Sequence, residues 1–281
     1  MLSVPNWSEG RHPQVEELAR EAMAAAGVQI HFNEADPDHN RIVTAFSGNT
    51  NQVRAALFQL CDTLLPLIDL TTHTGAHPRI GALDVCPFVL QQQDGMTETD
   101  ALAYVEAIAS AFAEMYQVPV LLYEKSERGR HAKDLPTLRK GGFEAVQGKE
   151  IPADFGPNRP HPRWGVTVMG LRDPLLAVNA VLPIEQYELA HTLARVIRNA
   201  RDADPRFHGI RAIATRLPEQ CVSQVSMNFT KPDETSVNEV VQWLASRGAK
   251  VLRVELIGVV RESDLAKGSV LDYRPEQIVA P

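Results

Sequence analysis

The sequence predicts an α+β chain built as two α/β-sandwich subdomains, and three observations carry that expectation. Strand-like and helix-like runs alternate through both halves of the 281 residues. This pattern gives layered folds in which helices cover a sheet. The alternation restarts near Leu171–Pro174, which places the subdomains at residues 1–172 and 173–281. A composition of 44% hydrophobic and 22% charged residues supports a substantial core, and the length suits one large domain or two of about 140 residues.

Leu2–Val4 reads as a short strand leading into a turn, Pro5–Gly10. Pro13–Ala26 has helical periodicity, with Val15, Leu18, Ala22 and Met23 on one side and Gly27 as its stop. Val28–Phe32 and Ile42–Phe46 read as strands around the polar loop Glu34–Arg41, and Asn51–Leu65 as a helix halted by Pro66. After the apolar strand Val85–Leu90 comes a helix, Thr97–Tyr116, with Thr97 as N-cap and Asp100 in its first turn. Val118–Tyr123 is a buried strand, followed by a long polar region, 124–162, that holds a helical piece at Leu135–Lys140. In the second half, strands are expected at Gly165–Met169, Leu175–Leu182, Ile210–Arg216, Cys221–Phe229 and Lys250–Val260. Helices are expected at Ile184–Ala200 and Thr235–Gly248, and a ragged polar tail after Ser263.

Charge and composition exclude several classes. A net charge of -7 argues against a general nucleic-acid binder, which depends on clustered Lys and Arg. Uninterrupted apolar runs stay well short of a membrane span, and the first dozen residues lack the apolar core of a signal peptide. The three cysteines, Cys61, Cys86 and Cys221, are odd in number and far apart. They read as buried thiols in a reducing, cytoplasmic compartment.

The chemistry concentrates in Thr71–Phe88, TTHTGAHPRIGALDVCPF. His73 and His77 are four apart, but Gly75 and Pro78 deny them a shared helical face, so no metal is expected there. An acid/base loop fits better. A histidine titrates near neutral pH, Arg79 can clamp a carboxylate through two parallel bonds, and Asp84 can orient a neighbour. Equally open on spacing alone is a surface turn with a packed histidine. Asp36–Arg41, DPDHNR, is dense in side-chain donors and acceptors, and Asn6–Arg11 reads as a turn and cap. Asp154–Gly165, DFGPNRPHPRWG, sets Arg159, His161 and Arg163 between Phe155 and Trp164. It suits either a planar anionic ligand or a stiff linker. Phosphate-binding glycine loops and the G-x-S-x-G elbow are absent from the sequence.

Taken in order, SVPNWSEGR, DPDHNR, HTGAHPRIGALDVCPF, VPVLLYE, LPTLRKGGFEAV, DFGP, WGVTVMGLRDPLLAVN, QVSMNF and VELIGV resemble glutamate formiminotransferase, the transferase part of the formiminotransferase-cyclodeaminase family. They span Ser3 to about Val260, without room for the cyclodeaminase domain, so the likeness is to the stand-alone form. The resemblance implies two ferredoxin-like subdomains with a folate tunnel between them. It implies transfer of the formimino group from N-formimino-L-glutamate to N5 of tetrahydrofolate, in histidine breakdown. The catalytic histidine would be His77, the one before Pro-Arg. The folate-binding loop would be Gly156, Pro157, Asn158, Arg159, Pro160, His161, Pro162, Arg163, Trp164 and Gly165. Asn6, Asn40, Arg41, Arg79 and Asp84 are the expected substrate-binding residues. Expected partners are the two small molecules, with tetrahydrofolate as co-substrate, without metal, nucleic acid or membrane; a homodimer is left open. Two alternatives share these residues: formyl transfer between 5-formyltetrahydrofolate and glutamate, and a non-catalytic folate-binding paralogue. Where many members carry Lys and Glu inside the histidine loop, this chain has Thr74 and Ala76.

Overall fold

A computed structural model describes residues 1–76 and 78–280. The chain divides into two compact units, Met1–Arg172 and Asp173–Pro281. In the first unit β1 (Leu2–Ser3), β2 (Asn6–Trp7), α1 (Val15–Ala25), β3 (Gln29–Asp36), β4 (Arg41–Ser47) and α2 (Thr50–Leu64) come first. Then follow β5 (Leu83–Val89), α3 (Glu98–Tyr116), β6 (Val120–Leu122), α4 (Leu135–Leu138), α5 (Gly142–Val146) and β7 (Thr167–Leu171).

These strands form one seven-stranded mixed sheet. β1 and β2 lie end to end between β4 and β5, pairing antiparallel with both, while β3 flanks β4 on the outside. β7 then adds parallel to β5, and β6 parallel to β7. The stretch Pro5–Gly10, expected as a turn, is therefore part strand. Trp7 has no exposed surface and donates its indole N–H to Thr44 Oγ1 at 3.3 Å. Propensity for a turn yields here to burial of a large aromatic ring at the centre of a sheet.

Helices α1, α2 and α3 cover one face through Val15, Ala19, Met23, Leu57, Leu60, Val105, Ile108 and Phe112, against Phe46, Leu83, Cys86 and Phe88. The start of α3 is as the sequence predicts: Thr97 caps it, and Asp100 reaches back to the Thr97 N–H. The other face is covered by the long polar region. Leu135, Leu138, Val146 and Ile151 pack against Ile80, Val85, Leu121, Val166 and Val168. Residues 124–162 are thus a folded layer of the first unit and not a linker. Polar on average, the segment still supplies enough apolar side chains to seal the sheet.

The second unit holds β8 (Leu176–Pro183), α6 (Tyr187–Ala200), β9 (Ile210–Leu217), β10 (Val222–Phe229), α7 (Val237–Ser246), β11 (Arg253–Ile257), β12 (Val260–Arg261) and β13 (Ile278–Val279). Its main sheet is four-stranded and antiparallel, in the order β11-β8-β10-β9. Both helices share one core with that sheet, including Leu193, Ile197, Trp243 and Leu244 with Val178, Ala180, Val225 and Met227.

Two expectations are corrected here. The tail after Ser263 is not ragged: β12 and β13 pair in parallel, and the buried Gln277 donates to the carbonyls of Leu256 (3.2 Å) and Gly258 (2.8 Å). Cys221 is not buried either. It sits exposed in the hairpin between β9 and β10 at φ 54, whereas Cys61 and Cys86 are buried.

Candidate active site

Four stretches of the first unit converge on one narrow, partly open cleft. It is lined by Asn6, Trp7, Ser8, His39, Asn40, Arg41, His73, Arg79 and Asp84. The structure thereby brings together all five residues singled out for substrate binding. His77 lies outside the described residues.

The cleft is shaped by Asn40, at the turn between β3 and β4. Its backbone has φ 49, a left-handed conformation that asparagine tolerates better than most residues. Its side chain is used on both sides: Oδ1 accepts from Gly10 N at 3.0 Å, and Nδ2 donates to Thr74 O at 2.9 Å. Its main-chain oxygen accepts from His73 Nε2 at 2.9 Å. The histidine loop lies flat on this turn. Ala76 N donates to Asp38 O at 3.0 Å, and Arg11 donates to Pro37 O and to Thr74 Oγ1. A Cβ at Gly75 would come within 2.4 Å of His39 O, so close approach demands glycine there.

Two groups in the cleft are occupied by partners that spacing could not name. Asp84, 1% exposed, accepts from Ile80 N (2.8 Å) and Gly81 N (3.3 Å) and forms an ion pair with Arg139. Its carboxylate therefore holds the end of the histidine loop. Arg79 places Nη2 2.8 Å from Glu144 Oε1 and 3.0 Å from His73 O. Its buried Nε meets no hydrogen-bonding partner among the described residues. Burial pulls the Arg41 guanidinium down to about 10, opposed by Asp36 and Asp84 and reinforced by Arg139. Burial also lowers His73; the bond to Asn40 opposes this and Arg79 adds to it. Deep beside it, His39 meets the Asp36 carboxylate twice: its main-chain N donates to Oδ1 at 2.9 Å, and its ring Nδ1 stands 2.7 Å from Oδ2.

The proposed folate loop runs alongside the histidine loop. Ala82 N donates to Trp164 O (2.9 Å), Val166 N to Ile80 O (2.9 Å) and Leu70 N to Arg163 O (3.0 Å). Gly165 has φ 69, and a Cβ there would stand 2.1 Å from Ile80 O, so no larger residue permits this zipper. Within the loop the ring of His161 stacks on Trp164, centroids 4.6 Å apart and planes at 15°. His161 Nδ1 accepts from the N–H groups of Arg163 and Trp164. Arg163 donates to the carbonyls of Ile68 (2.8 Å) and Pro66 (2.7 Å), while Arg159 is exposed and 3.9 Å from Glu150. The loop begins at a buried anchor: Asp154 accepts from Leu122 N (2.7 Å) and stands 2.8 Å from His131 Nε2.

Sequence reasoning did not select Ser8, His39, Arg139 or Glu144 for the site. Arg139 and Glu144 lie in LPTLRKGGFEAV, a helical piece whose side chains carry no pattern that marks them as partners of Asp84 and Arg79, far earlier in the chain. Among the described residues, no group of three or more His, Cys, Asp or Glu could hold a metal ion, and no helix is long and apolar enough to cross a membrane.

With this geometry in hand, residues 1–172 match the family model of the formiminotransferase domain, N-terminal subdomain. The chain belongs to the formiminotransferase family. It is 32% identical over 265 residues to a glutamate formimidoyltransferase of Streptococcus pyogenes, covering 91% of this chain and 87% of that protein. It is likewise 32% identical over 273 residues to a glutamate formimidoyltransferase of Thermoplasma acidophilum, covering 93% and 88%. Against the formimidoyltransferase-cyclodeaminase of Sus scrofa the identity is 34% over 91% of this chain. There the match spans about half of the relative, 48% of its length.

Proposed function

We propose that the protein is a glutamate formimidoyltransferase, moving the formimino group of N-formimino-L-glutamate to N5 of tetrahydrofolate, in histidine breakdown. Membership of the family and the names of the relatives above support the reaction. The observation that carries the site is the cleft that gathers Asn6, Asn40, Arg41, Arg79 and Asp84 beside the loop 156–165. The two-subdomain, ferredoxin-like architecture with a ligand tunnel, the 1–172 and 173–281 division as family subdomains, and a cytoplasmic location belong to the same reading.

The transfer requires a proton to leave the attacking amine and another to reach the departing glutamate nitrogen. One histidine near neutral pKa can perform both movements, worth roughly 10²–10⁴-fold, and we assign this to His77. Arg41 and Arg79 offer positive charge to the carboxylates of the donor. Asp84 acts by holding residues 80 and 81, and through them the approach of the loop to the cleft. For the folate co-substrate, the fit is of two kinds. Trp164 and His161 form a flat apolar stack, and Arg159 leaves an exposed cation beside it for a glutamate tail. Purified protein supplied with formiminoglutamate and tetrahydrofolate should turn over, and His77→Ala should lower kcat by at least 10²-fold. Folate binding without turnover identifies a binder instead, and turnover unchanged by His77→Ala removes the assigned mechanism.

A further inference from the structure

Between β6 and the proposed folate loop, a turn at residues 127–131 clasps the point where that loop begins. The loop 156–165 starts from Asp154 and Phe155, whose main chain is paired with β6. Asp154 N donates to Val120 O at 2.9 Å, and Val120 N donates to Phe155 O at 2.9 Å. Gly156 follows at φ 82, where a Cβ would stand 3.0 Å from Ala113 Cβ and 3.2 Å from Val118 O. The loop therefore leaves the sheet at one fixed point, and its direction there is set by what holds Asp154.

The Asp154 side chain is 2% exposed. Its Oδ2 accepts from Leu122 N at 2.7 Å and faces His131 Nε2 at 2.8 Å. Its Oδ1 meets no hydrogen-bonding partner among the described residues, with Arg130 Nη1 3.8 Å away. A buried carboxylate with so few donors depends on the charge of its neighbour. The His131 side chain is 7% exposed, and its second ring nitrogen decides its form: Nδ1 is 2.9 Å from Ala132 O. A carbonyl oxygen only accepts, and so does an ionised carboxylate, so both ring nitrogens must donate. That form is the imidazolium. With Asp154 it makes a charge-assisted hydrogen bond, roughly twice as strong as a neutral one.

Other contacts join the same turn to the origin of the loop. Glu127 Oε1 accepts from Arg130 N (2.7 Å) and His131 N (3.2 Å), which fixes the turn. The Arg128 guanidinium lies 6.0 Å from the centroid of the Phe155 ring, and its Nε donates to Glu106 of α3 at 3.1 Å. Residues 127–131 thus close over Asp154 and Phe155 from one side while β6 holds them from the other. Arg128, Arg130 and Glu127 are the charged side chains acting on the pair.

We propose that His131 is a positioning residue for the folate co-substrate: as a cation bonded to Asp154, it sets the point from which the loop 156–165 leaves the sheet. It acts through Asp154 and has no place in the cleft assigned to the donor. This rests on the transferase reading above.

The test compares steady-state kinetics of the wild type, His131→Gln and His131→Leu. Glutamine keeps a donor to offer Asp154, and leucine has none. In His131→Leu, KM for tetrahydrofolate should rise by roughly 10-fold or more, with KM for formiminoglutamate within about two-fold of wild type. His131→Gln should recover most of that loss. A merely structural role moves both constants together, and that result overturns the proposal, as does a glutamine variant no better than leucine.

Should His131→Leu fail to fold, the ring itself is read by nitrogen NMR of the wild type carrying isotope-labelled histidine. The His131 signals, assigned by their loss in His131→Gln, should show hydrogen on both ring nitrogens at neutral pH. A bare lone pair on either nitrogen overturns the proposal. Wild-type turnover with an unmoved folate KM in His131→Leu overturns this inference while leaving the transferase reading intact. A wild type that neither turns over nor binds tetrahydrofolate removes both.

Discussion

His73 donates its Nε2–H to the main-chain oxygen of Asn40 at 2.9 Å, across 33 residues of chain. Asn40 in turn holds Gly10 and Thr74 with its two side-chain atoms. A residue at positive φ thus ties three stretches of backbone to one wall of the cleft.

Replacing Asn40 tests this tie. Asn40→Ala removes two hydrogen bonds and leaves a Cβ at φ 49, whereas Asn40→Gly removes the same bonds but relaxes the backbone. Both should lower unfolding free energy by about 1–3 kcal/mol, with alanine worse by about 1 kcal/mol. Urea titrations monitored by fluorescence resolve the order, and alanine at least as stable as glycine contradicts it.

Asp84 is expected to act on stability as much as on turnover. Its carboxylate is buried, accepts two backbone N–H groups and pairs with Arg139. Breaking a buried pair from one side leaves the other charge uncompensated. Asp84→Ala should therefore destabilise by about 3–5 kcal/mol, visible as a shifted denaturant midpoint at unchanged slope. Asp84→Ala, Arg139→Met should recover part of that loss.

Glu144 lies on the surface end of its pair with Arg79, the side chains being 66% and 12% exposed. Exposed ion pairs contribute about 0–1 kcal/mol, so Glu144→Gln should leave the melting curve nearly unchanged. Its effect should be on the donor: releasing the Arg79 guanidinium changes KM for formiminoglutamate without a matching change in KM for tetrahydrofolate. Equal changes in both constants would separate Arg79 from donor binding.

Acidification should destabilise the first unit in a defined window. Burial lowers both His73 and His161 below the ordinary histidine value, so between the folded and unfolded values the unfolded chain binds more protons. Stability then rises with pH across that interval and falls as pH drops below about 6.5. Glu144 and Asp36 are lowered as well. Hydrogen bonding to Arg79 leads for Glu144, and for Asp36 the bonds from His39 outweigh opposing burial. Their contribution disappears only as pH falls through the carboxylate range. Denaturant midpoints measured from pH 8 to pH 4 should show the histidine decline first. A flat profile between pH 7 and pH 5 contradicts it.

Much of this protein is local and was therefore readable in its sequence. The caps and apolar stripes of α1, α2 and α3 depend on neighbours three or four residues away, and Thr97 with Asp100 marks a helix start from sequence alone. Loop chemistry marked Arg79 and Asp84 because polar groups crowd into a short glycine- and proline-bearing stretch, while Asn6, Asn40 and Arg41 were singled out only with the family resemblance. What sequence could not supply was who pairs with whom. Trp7 read as a turn residue because its burial depends on β4 and β5, and the 124–162 region read as polar because its few apolar side chains matter only against a sheet face. Arg139 took the carboxylate of Asp84, and Glu144 took the guanidinium of Arg79, through contacts spanning about 55 to 65 residues of chain. The tautomer of His73 was likewise settled by a carbonyl brought up from the β3–β4 turn. Periodicity and loop chemistry are properties of adjacent residues; hydrogen-bond partners, protonation and the shape of a cleft belong to whatever the fold places within 3 Å.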